Sequence, residues 1–343
     1  LATIEGYQGN NLADAYHVAA CMKHFLGYSM PRTGKDRTPV YIDEIQLREY
    51  FLPTFQAAIN AGAATVMINS GELNGIPVHA DKKILTDLLR SELGFKGVAV
   101  TDWEDIMKLN NIHMVAPTLK DAVYMAIDAG IDMCMVPNDY DFTILLTELV
   151  KEGKISEARL DVSVKRILEL KKQLGLFEQP FTPANTDYKK FGSAEFARAA
   201  QNMAEESITL LKNNNQVLPI QQSAKILVTG PAANSMTYLN GAWTRTWQGT
   251  DTIWNDQSKY TIREAFNPAT TTFIASDNMS DTDVREKMFA AAKASDVIII
   301  CLGEKPSTEK VGDIDALTMP DNQQQLVGLL KSTGKPVVLV LAE

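Results

Sequence analysis

The chain has 343 residues and a formal net charge of −9, and these values already narrow the classes of function. The length exceeds what one ordinary hydrophobic core accommodates and indicates two domains. The acidic charge disfavours nucleic acid as a partner, and no apolar run reaches the roughly 18 residues that a membrane span needs.

The first half of the chain alternates short apolar strands with longer amphipathic helices. Strands are predicted at residues 20–25, 64–69, 97–102 and 132–137. Each is almost continuously apolar and bounded by Gly, Asp or Pro, which is typical of strands buried on both faces. Helices are predicted at residues 43–61, 81–93, 118–129, 140–152 and 156–174. This spacing indicates successive βα units in an α/β fold.

Four such strands are half the number in a (β/α)₈ barrel. We therefore predict that residues 1–174 form the C-terminal half of a TIM-type barrel, and we expect the first half to be missing. A small doubly wound sheet is the alternative. The chain begins with Leu1, shows no signal peptide and ends within a predicted strand, so we expect both ends to be cut.

The alternation of strands and helices ends at residues 175–193, where two prolines and several polar residues predict a linker. Residues 194–343 then predict an incomplete α/β sandwich domain. Its predicted strands are residues 226–229, 272–275, 297–302 and 337–342, and its predicted helices are residues 194–211, 283–294 and 322–332. The apolar strands indicate an open sheet covered on both faces.

The three cysteines, Cys21, Cys134 and Cys301, lie far apart and outside any CxxC or Cys/His cluster. This spacing argues against a zinc site and against a disulfide scaffold. Cys21 and Cys134 fall in apolar runs, so we expect them to be small buried residues.

Candidate catalytic chemistry begins with Asp102, which ends the predicted strand GVAVTD and is followed by Trp103. Catalytic groups of α/β barrels lie at the carboxyl ends of strands, and an indole offers a flat face for a sugar ring. The alternative role for Asp102 is to cap the next helix. Lys23 and His24 lie in an apolar strand, where His24 alternatively is a satisfied core histidine. The charged loop after them, residues 27–37, is of the kind that lines a barrel active site.

Two features of the second half also suggest a binding site. Trp243 and Trp247 lie together in a glycine-bounded loop, which suits a flat ligand face or, alternatively, clamps the loop itself. Glu304 and Glu309 follow the strand VIIICLG, and ligands of open α/β sheets bind beyond the carboxyl ends of strands. Glycine fingerprints for nucleotides are absent from the sequence.

Five motifs in order, KHFLGYS, GVAVTDW, AGIDM, WTRTWQG and GEKPSTEKVGD, resemble glycoside hydrolase family 3 of the two-domain exo-β-glucosidase type. The resemblance covers essentially the whole chain. It implies that Asp102 is the nucleophile and Glu309 the acid/base. It further implies that a set of residues contacts the sugar: Lys23, His24, Trp103, Trp243, Trp247 and Lys108. Ser70 departs from the family pattern, since many relatives carry a tyrosine there.

The resemblance implies a retaining, exo-acting β-glucosidase that uses double displacement on β-linked gluco-oligosaccharides. The alternatives are a β-xylosidase or related β-glycosidase of the same family, or an inert carbohydrate-binding relative. No metal or organic cofactor is expected. Relatives that degrade polysaccharides are exported, which suggests a periplasmic or secreted protein. The family's first barrel half supplies an Asp and an Arg to the sugar site, and we expect both to be missing from this chain.

Overall fold

The computed structural model describes residues 1–14, 16–181, 191–275 and 277–342. The chain divides into two compact units, Leu1–Asp187 and Tyr188–Glu343. Much of the predicted linker, residues 182–190, lies outside the described residues. Within the described ranges, no helix is both long enough and apolar enough to cross a membrane.

The first unit contains a parallel sheet whose strands follow the order β1-β2-β5. These strands are β1 (Cys21–Phe25), β2 (Thr65–Ile68) and β5 (Val98–Val100). Thr65 is in register with both Cys21 and Val98. A short antiparallel hairpin, β3 (Glu72–Leu73) and β4 (Ile76–Pro77), follows β2. Because the three strands are parallel, their carboxyl ends meet at one edge, where the candidate residues of this unit lie.

The predicted fourth strand, residues 132–137, does not form. Only an isolated bridge joins Met133 to Val100. Side chains occupy positions that backbone groups would take in a ladder: the Asp132 carboxylate accepts from the Ala99 N–H at 3.0 Å, and the Thr101 hydroxyl accepts from the Met135 N–H at 2.8 Å. A bond to a side chain replaces the regular pairing that defines a strand.

The helices of the first unit cover its sheet. They are α1 (Ala2–Gln8), α2 (Glu44–Gln46), α3 (Leu52–Asn60), α4 (Asp105–Asn111), α5 (Leu119–Ala129), α6 (Asp141–Lys151) and α7 (Glu157–Gln173), with π-helical segments at Leu47–Phe51 and Lys83–Glu92. The prediction missed α1 and α4. A capping box between Thr118 and Asp121 begins α5, because the two side chains satisfy backbone N–H groups that have no partner inside the helix.

One apolar core joins the sheet and helices of the first unit. Its fully buried members include Phe25, Ile68, Leu85, Leu89, Ile106 and Leu109. Cys21, in contrast, is exposed, so the expectation that it is buried was wrong. It begins β1, which is the outer strand of the described sheet and presents alternate residues to solvent.

The second unit contains a four-stranded parallel sheet in the order β7-β6-β8-β9. Its strands are β6 (Ile226–Thr229), β7 (Thr271–Ile274), β8 (Val297–Gly303) and β9 (Val337–Ala342). Leu227 and Ile300 lie in one apolar cluster, whereas Val228 and Cys301 lie in another. Since neighbouring residues of a strand point to opposite faces, both faces of the central strands are buried, as their continuous apolar sequence predicts.

The described residues of the second unit form four helices: α8 (Ala194–Ser207), α9 (Met236–Leu239), α10 (Thr282–Ala294) and α11 (Asp321–Lys331). Helix α8 ends earlier than the predicted residue 211, because the backbone becomes extended at Ile208. Its periodic apolar residues, including Met203, are exposed rather than packed.

Candidate functional site

The carboxylate of Asp102 lies directly after β5, where strand and loop geometry surround it with hydrogen-bond donors. The Trp103 N–H donates to Oδ1 at 2.6 Å. The Ser70 hydroxyl lies 3.1 Å from Oδ2, and Arg37 Nη2 donates to the same oxygen at 3.4 Å. His24 Nε2 lies 3.5 Å from Oδ2. Three segments, after β1, after β2 and after β5, thus converge on one carboxylate.

These contacts keep Asp102 ionised. Burial alone raises the pKa of this carboxyl group, but the Trp103 N–H, the Arg37 guanidinium and His24 outweigh burial, so the net pKa lies below its ordinary value. An ionised carboxylate with 13% of its side chain exposed is chemically suited to attack an electrophilic carbon.

The pKa of the His24 imidazole beside Asp102 lies below its ordinary value. Burial lowers its pKa, and the charge of the adjacent Lys23 lowers it further, whereas Asp102 opposes both effects. Its ring packs against Tyr28, with ring centroids 4.4 Å apart. Lys23 itself is exposed. Lys23 and His24 are the two sugar contacts predicted in the motif KHFLGYS. The structure places His24 against Asp102.

A second carboxylate, Asp105, lies next to the first and is only 2% exposed. Ser70 Oγ donates to its Oδ2 at 2.6 Å, and Lys108 Nζ donates to its Oδ1 at 2.6 Å. His79 Nε2 lies 3.4 Å away. The Ser70 hydroxyl has one proton for two carboxylates, so it donates to Asp102 or to Asp105 but not to both at once.

Lys108 and Trp103 are linked through the backbone. Lys108 Nζ donates to the Trp103 carbonyl oxygen at 2.7 Å in addition to its bond with Asp105. The ammonium group therefore contacts two oxygens of the protein. Trp103 itself is 52% exposed.

The candidate residues of the second unit lie on two loops. Trp243 and Trp247 are 61% and 47% exposed, and the Trp243 N–H donates to the Trp247 carbonyl oxygen at 2.9 Å. Glu309 begins a short 3₁₀ segment, Glu309–Gly312, and is partly buried, whereas Glu304 is exposed. Glu309 has a φ of 56°, which is uncommon for a residue with a side chain.

Several residues of these sites escaped prediction from the sequence. Ser70 was noted only as a departure from the family pattern and Arg37 only as one charge in a loop, while Asp105 and His79 were not singled out. Two of them could have been predicted from their positions after strands. Ser70 follows β2, and Asp105 begins α4 near the same edge of the sheet. Within the described residues, no three His, Cys, Asp or Glu side chains are grouped as metal ligands.

Comparison with known proteins identifies the family. Residues 1–170 match the model of the glycosyl hydrolase family 3 N-terminal domain, and residues 208–343 match that of its C-terminal domain. The chain belongs to glycoside hydrolase family 3. The family-3 assignment confirms the predicted fold class, with barrel-type βα units followed by an α/β sandwich-type domain.

Individual relatives agree with this assignment. A lysosomal β-glucosidase of Dictyostelium discoideum is 43% identical over all of this chain and 44% of its own length. A periplasmic β-glucosidase of Salmonella typhimurium is 31% identical over 98% of this chain and 47% of its own length. The solved β-glucosidase of Listeria innocua superposes with a TM-score of 0.89 at 32% identity, over 99% of this chain and 47% of that one. The chain thus spans about half the length of these relatives.

Proposed function

We propose that the protein is a retaining, exo-acting β-glucosidase, with Asp102 as nucleophile and Glu309 as general acid/base. The observation that carries the proposal is the environment of Asp102, an ionised carboxylate at the end of a barrel-type strand. The names of the family-3 relatives supply the class of glycosidase.

The proposed reaction has two displacements. Asp102 attacks the anomeric carbon and forms a covalent glycosyl-enzyme, while Glu309 protonates the departing glycosidic oxygen. Glu309 then takes a proton from the water that attacks the same carbon, and Asp102 leaves. Each displacement inverts the anomeric centre, so the released sugar keeps the β configuration of the substrate.

The substrate class that we propose is a β-linked gluco-oligosaccharide. Solved structures of the Listeria innocua β-glucosidase include complexes with glucose and, for a mutant, with laminaribiose. A β-xylosidase of Formosa agariphila, 32% identical over 99% of this chain, supports the alternative. The ratio of kcat/KM for nitrophenyl β-glucoside and β-xyloside decides between the two sugars.

The side chains that we propose as sugar contacts are exposed or half-buried. Lys23 and His24 bind hydroxyl groups of the glycone. Trp103, Trp247 and neighbouring Trp243 provide apolar faces on which sugar rings stack. Lys108 remains a predicted sugar contact, and its bond to the Trp103 carbonyl oxygen gives it a second way to act, by holding the backbone beside the nucleophile.

The test of the acid/base compares Glu309→Ala with Glu304→Ala as a matched control from the same loop. General acid catalysis contributes roughly 10²–10⁴-fold, but a dinitrophenolate leaves without a proton. Glu309→Ala should therefore lose far more kcat/KM on cellobiose than on dinitrophenyl β-glucoside. Added azide should restore turnover and yield β-glucosyl azide, because azide attacks without a general base.

The opposite pattern would reject the assignment. If Glu304→Ala showed this dependence on the leaving group and Glu309→Ala behaved as the unaltered protein, Glu304 would be the acid/base. If neither variant lost activity while Asp102→Ala lost all of it, the proton donor would lie elsewhere. An unaltered protein that neither hydrolyses glucosides nor forms a covalent adduct at Asp102 would be an inert relative.

We also propose that the protein acts in the periplasm or outside the cell. The periplasmic β-glucosidase among the relatives supports this location, although another relative is named as lysosomal. Cell fractionation with an antibody against the protein tests it, and recovery in the cytoplasmic fraction would contradict it.

A further inference from the structure

The loop that carries Glu309 is held by the side chain of Gln248, which lies 60 residues earlier in the chain. Gln248 Nε2 donates to the Thr308 carbonyl oxygen at 3.2 Å. Gln248 Oε1 accepts from the Thr308 N–H at 3.0 Å. One primary amide thus satisfies both backbone groups of the residue directly before Glu309, in the manner of a strand pair.

The backbone under Gln248 is itself closely confined. Gly249 is buried and has a φ of +70°, and a Cβ added there would lie 2.3 Å from the Gly241 carbonyl oxygen. The Trp243 N–H bonds to the Trp247 carbonyl oxygen on the other side. These contacts hold the backbone on both sides of Gln248 in place. The side chain of Gln248 therefore loses less conformational freedom when it forms its two hydrogen bonds with Thr308.

A second glutamine holds the other end of the Glu309 loop. Gln323, on α11 and 3% exposed, donates to the Gly303 carbonyl oxygen at 2.9 Å and accepts from the Gly303 N–H at 3.2 Å. The segment from Gly303 to Thr308 is therefore anchored at both ends by the same kind of contact. Gln323 anchors it where β8 ends, and Gln248 anchors it where Glu309 begins.

Glu309 needs such an anchor because its φ of 56° lies in the left-handed region. A residue with a side chain stays there only when its surroundings determine the conformation. The plane of the Thr308–Glu309 peptide sets the direction in which the Glu309 side chain leaves the backbone. Holding both polar groups of Thr308 therefore determines where the carboxyl group of Glu309 is presented.

We propose that Gln248 is a positioning residue for the acid/base: it pairs with Thr308, presents Glu309 for proton transfer, and ties that loop to the loop of Trp247. This inference rests on the proposed function, in which Glu309 protonates the leaving group. Gln248 does not touch substrate in this scheme. Its loss should weaken only the steps in which Glu309 transfers a proton.

The experiment compares Gln248→Met with the unaltered protein, using kcat/KM on cellobiose and on dinitrophenyl β-glucoside. Methionine keeps the length of the side chain and removes both hydrogen bonds. We expect a loss of about 10-fold on cellobiose, smaller than the roughly 10²–10⁴-fold contribution of a complete acid/base, with the dinitrophenyl substrate nearly unchanged. Added azide should raise turnover of the Gln248→Met variant, because azide attacks without a general base.

Gln257→Met is the matched control, because Gln257 is exposed and its side chain donates to the carbonyl oxygen of Asn255, two residues away, rather than to a distant loop. It should match the unaltered protein on both substrates. Gln248→Glu is the second test variant. It keeps the acceptor for the Thr308 N–H but sets a carboxylate oxygen against the Thr308 carbonyl oxygen, so it should show the same selective loss even if Gln248→Met is insoluble.

The results separate this inference from the proposed function. If Gln248→Met loses equally on both substrates, or loses no more than Gln257→Met, while Glu309→Ala shows selective loss and azide rescue, the positioning role is wrong and the acid/base assignment stands. If Glu309→Ala itself shows neither selective loss nor azide rescue, both proposals are overturned.

Discussion

At the scale of single residues, the charge of Asp102 is maintained by neighbours from distant parts of the chain. Arg37 bonds to it from 65 positions earlier and also pairs with Asp36. Ser70 contributes a hydroxyl that it shares with Asp105. The proposed nucleophile has to be ionised before it attacks, so we expect these neighbours to set the acidic limit of activity.

Replacing Arg37 by Met should raise the pKa of Asp102. A positive charge beside a carboxylate favours its ionised form, and the lowered pKa of Asp102 depends in part on Arg37. Since activity is lost as pH falls through this pKa, the acidic limb of the kcat/KM profile should move to higher pH. A pH profile on dinitrophenyl β-glucoside measures this shift.

Arg32→Met is the control for that experiment. Arg32 lies on the same loop but is exposed and contacts the ring of Tyr41 at 5.7 Å from its centroid. Its replacement should leave the acidic limb in place. An unmoved limb in Arg37→Met as well would show that the guanidinium does not set the ionisation of Asp102.

At the scale of elements, the loop that contains Trp243 and Trp247 leaves both tryptophans exposed to solvent. A hydrogen bond from the Trp243 N–H to the Trp247 carbonyl oxygen closes the backbone of this loop. We expect Trp247→Ala to weaken hydrolysis of cello-oligosaccharides much more than hydrolysis of aryl glucosides, because only the longer substrate has a second sugar ring to stack. Stacking contributes about 0.5–1.5 kcal/mol beyond burial of area, by analogy with aromatic pairs. Steady-state kcat/KM on both substrates measures the difference.

Trp254→Ala provides the comparison, since Trp254 is 50% exposed in the same unit but lies outside this loop. It should affect neither substrate. Equal losses on both substrates in Trp247→Ala would mean that the indole only holds its loop in place.

A buried charge cluster joins the elements of the first unit around Asp132. Its carboxylate bonds to Arg90 at 2.6 Å, Arg166 at 2.8 Å, and Ser163 at 2.6 Å, as well as to the Ala99 N–H. The Asp132 side chain has no exposed surface. This cluster connects the π-helical segment Lys83–Glu92, α7 and β5 to the segment that follows α5.

Arg90→Met should therefore destabilise the first unit by about 3–5 kcal/mol, the usual effect of breaking a buried ion pair. Lys82→Met, which removes an exposed pair with Asp128, should change stability by about 1 kcal/mol or less. Urea unfolding followed by circular dichroism compares the two. If both substitutions lowered the free energy of unfolding by the same small amount, Arg166 and Ser163 would be enough to stabilise the buried Asp132 carboxylate.

At the scale of the whole molecule, the proposed double displacement predicts the stereochemistry of the product. The sugar first released from an aryl β-glucoside should be the β-anomer, because two inversions restore the starting configuration. Proton NMR during the first minutes of hydrolysis detects the anomer before it equilibrates. An α-anomer as first product would exclude Asp102 as a covalent nucleophile.

The sequence by itself determined many of the local elements of this protein and the family to which it belongs. The strands 226–229 and 337–342 lie where the apolar runs predicted them, because hydrophobic periodicity reports burial of one short segment. Five motifs in order sufficed for family 3, and two family models confirm it.

Only the tertiary structure decided which distant side chains meet. The contacts of Asp102 with Arg37 and of Gln248 with Thr308 join residues 65 and 60 positions apart, and no local pattern records such a pairing. The missing strand at residues 132–137 has the same cause: its composition suits a strand, but the Asp132 carboxylate and the Thr101 hydroxyl take hydrogen bonds that a ladder needs. Local propensity is a weak preference that tertiary contacts override.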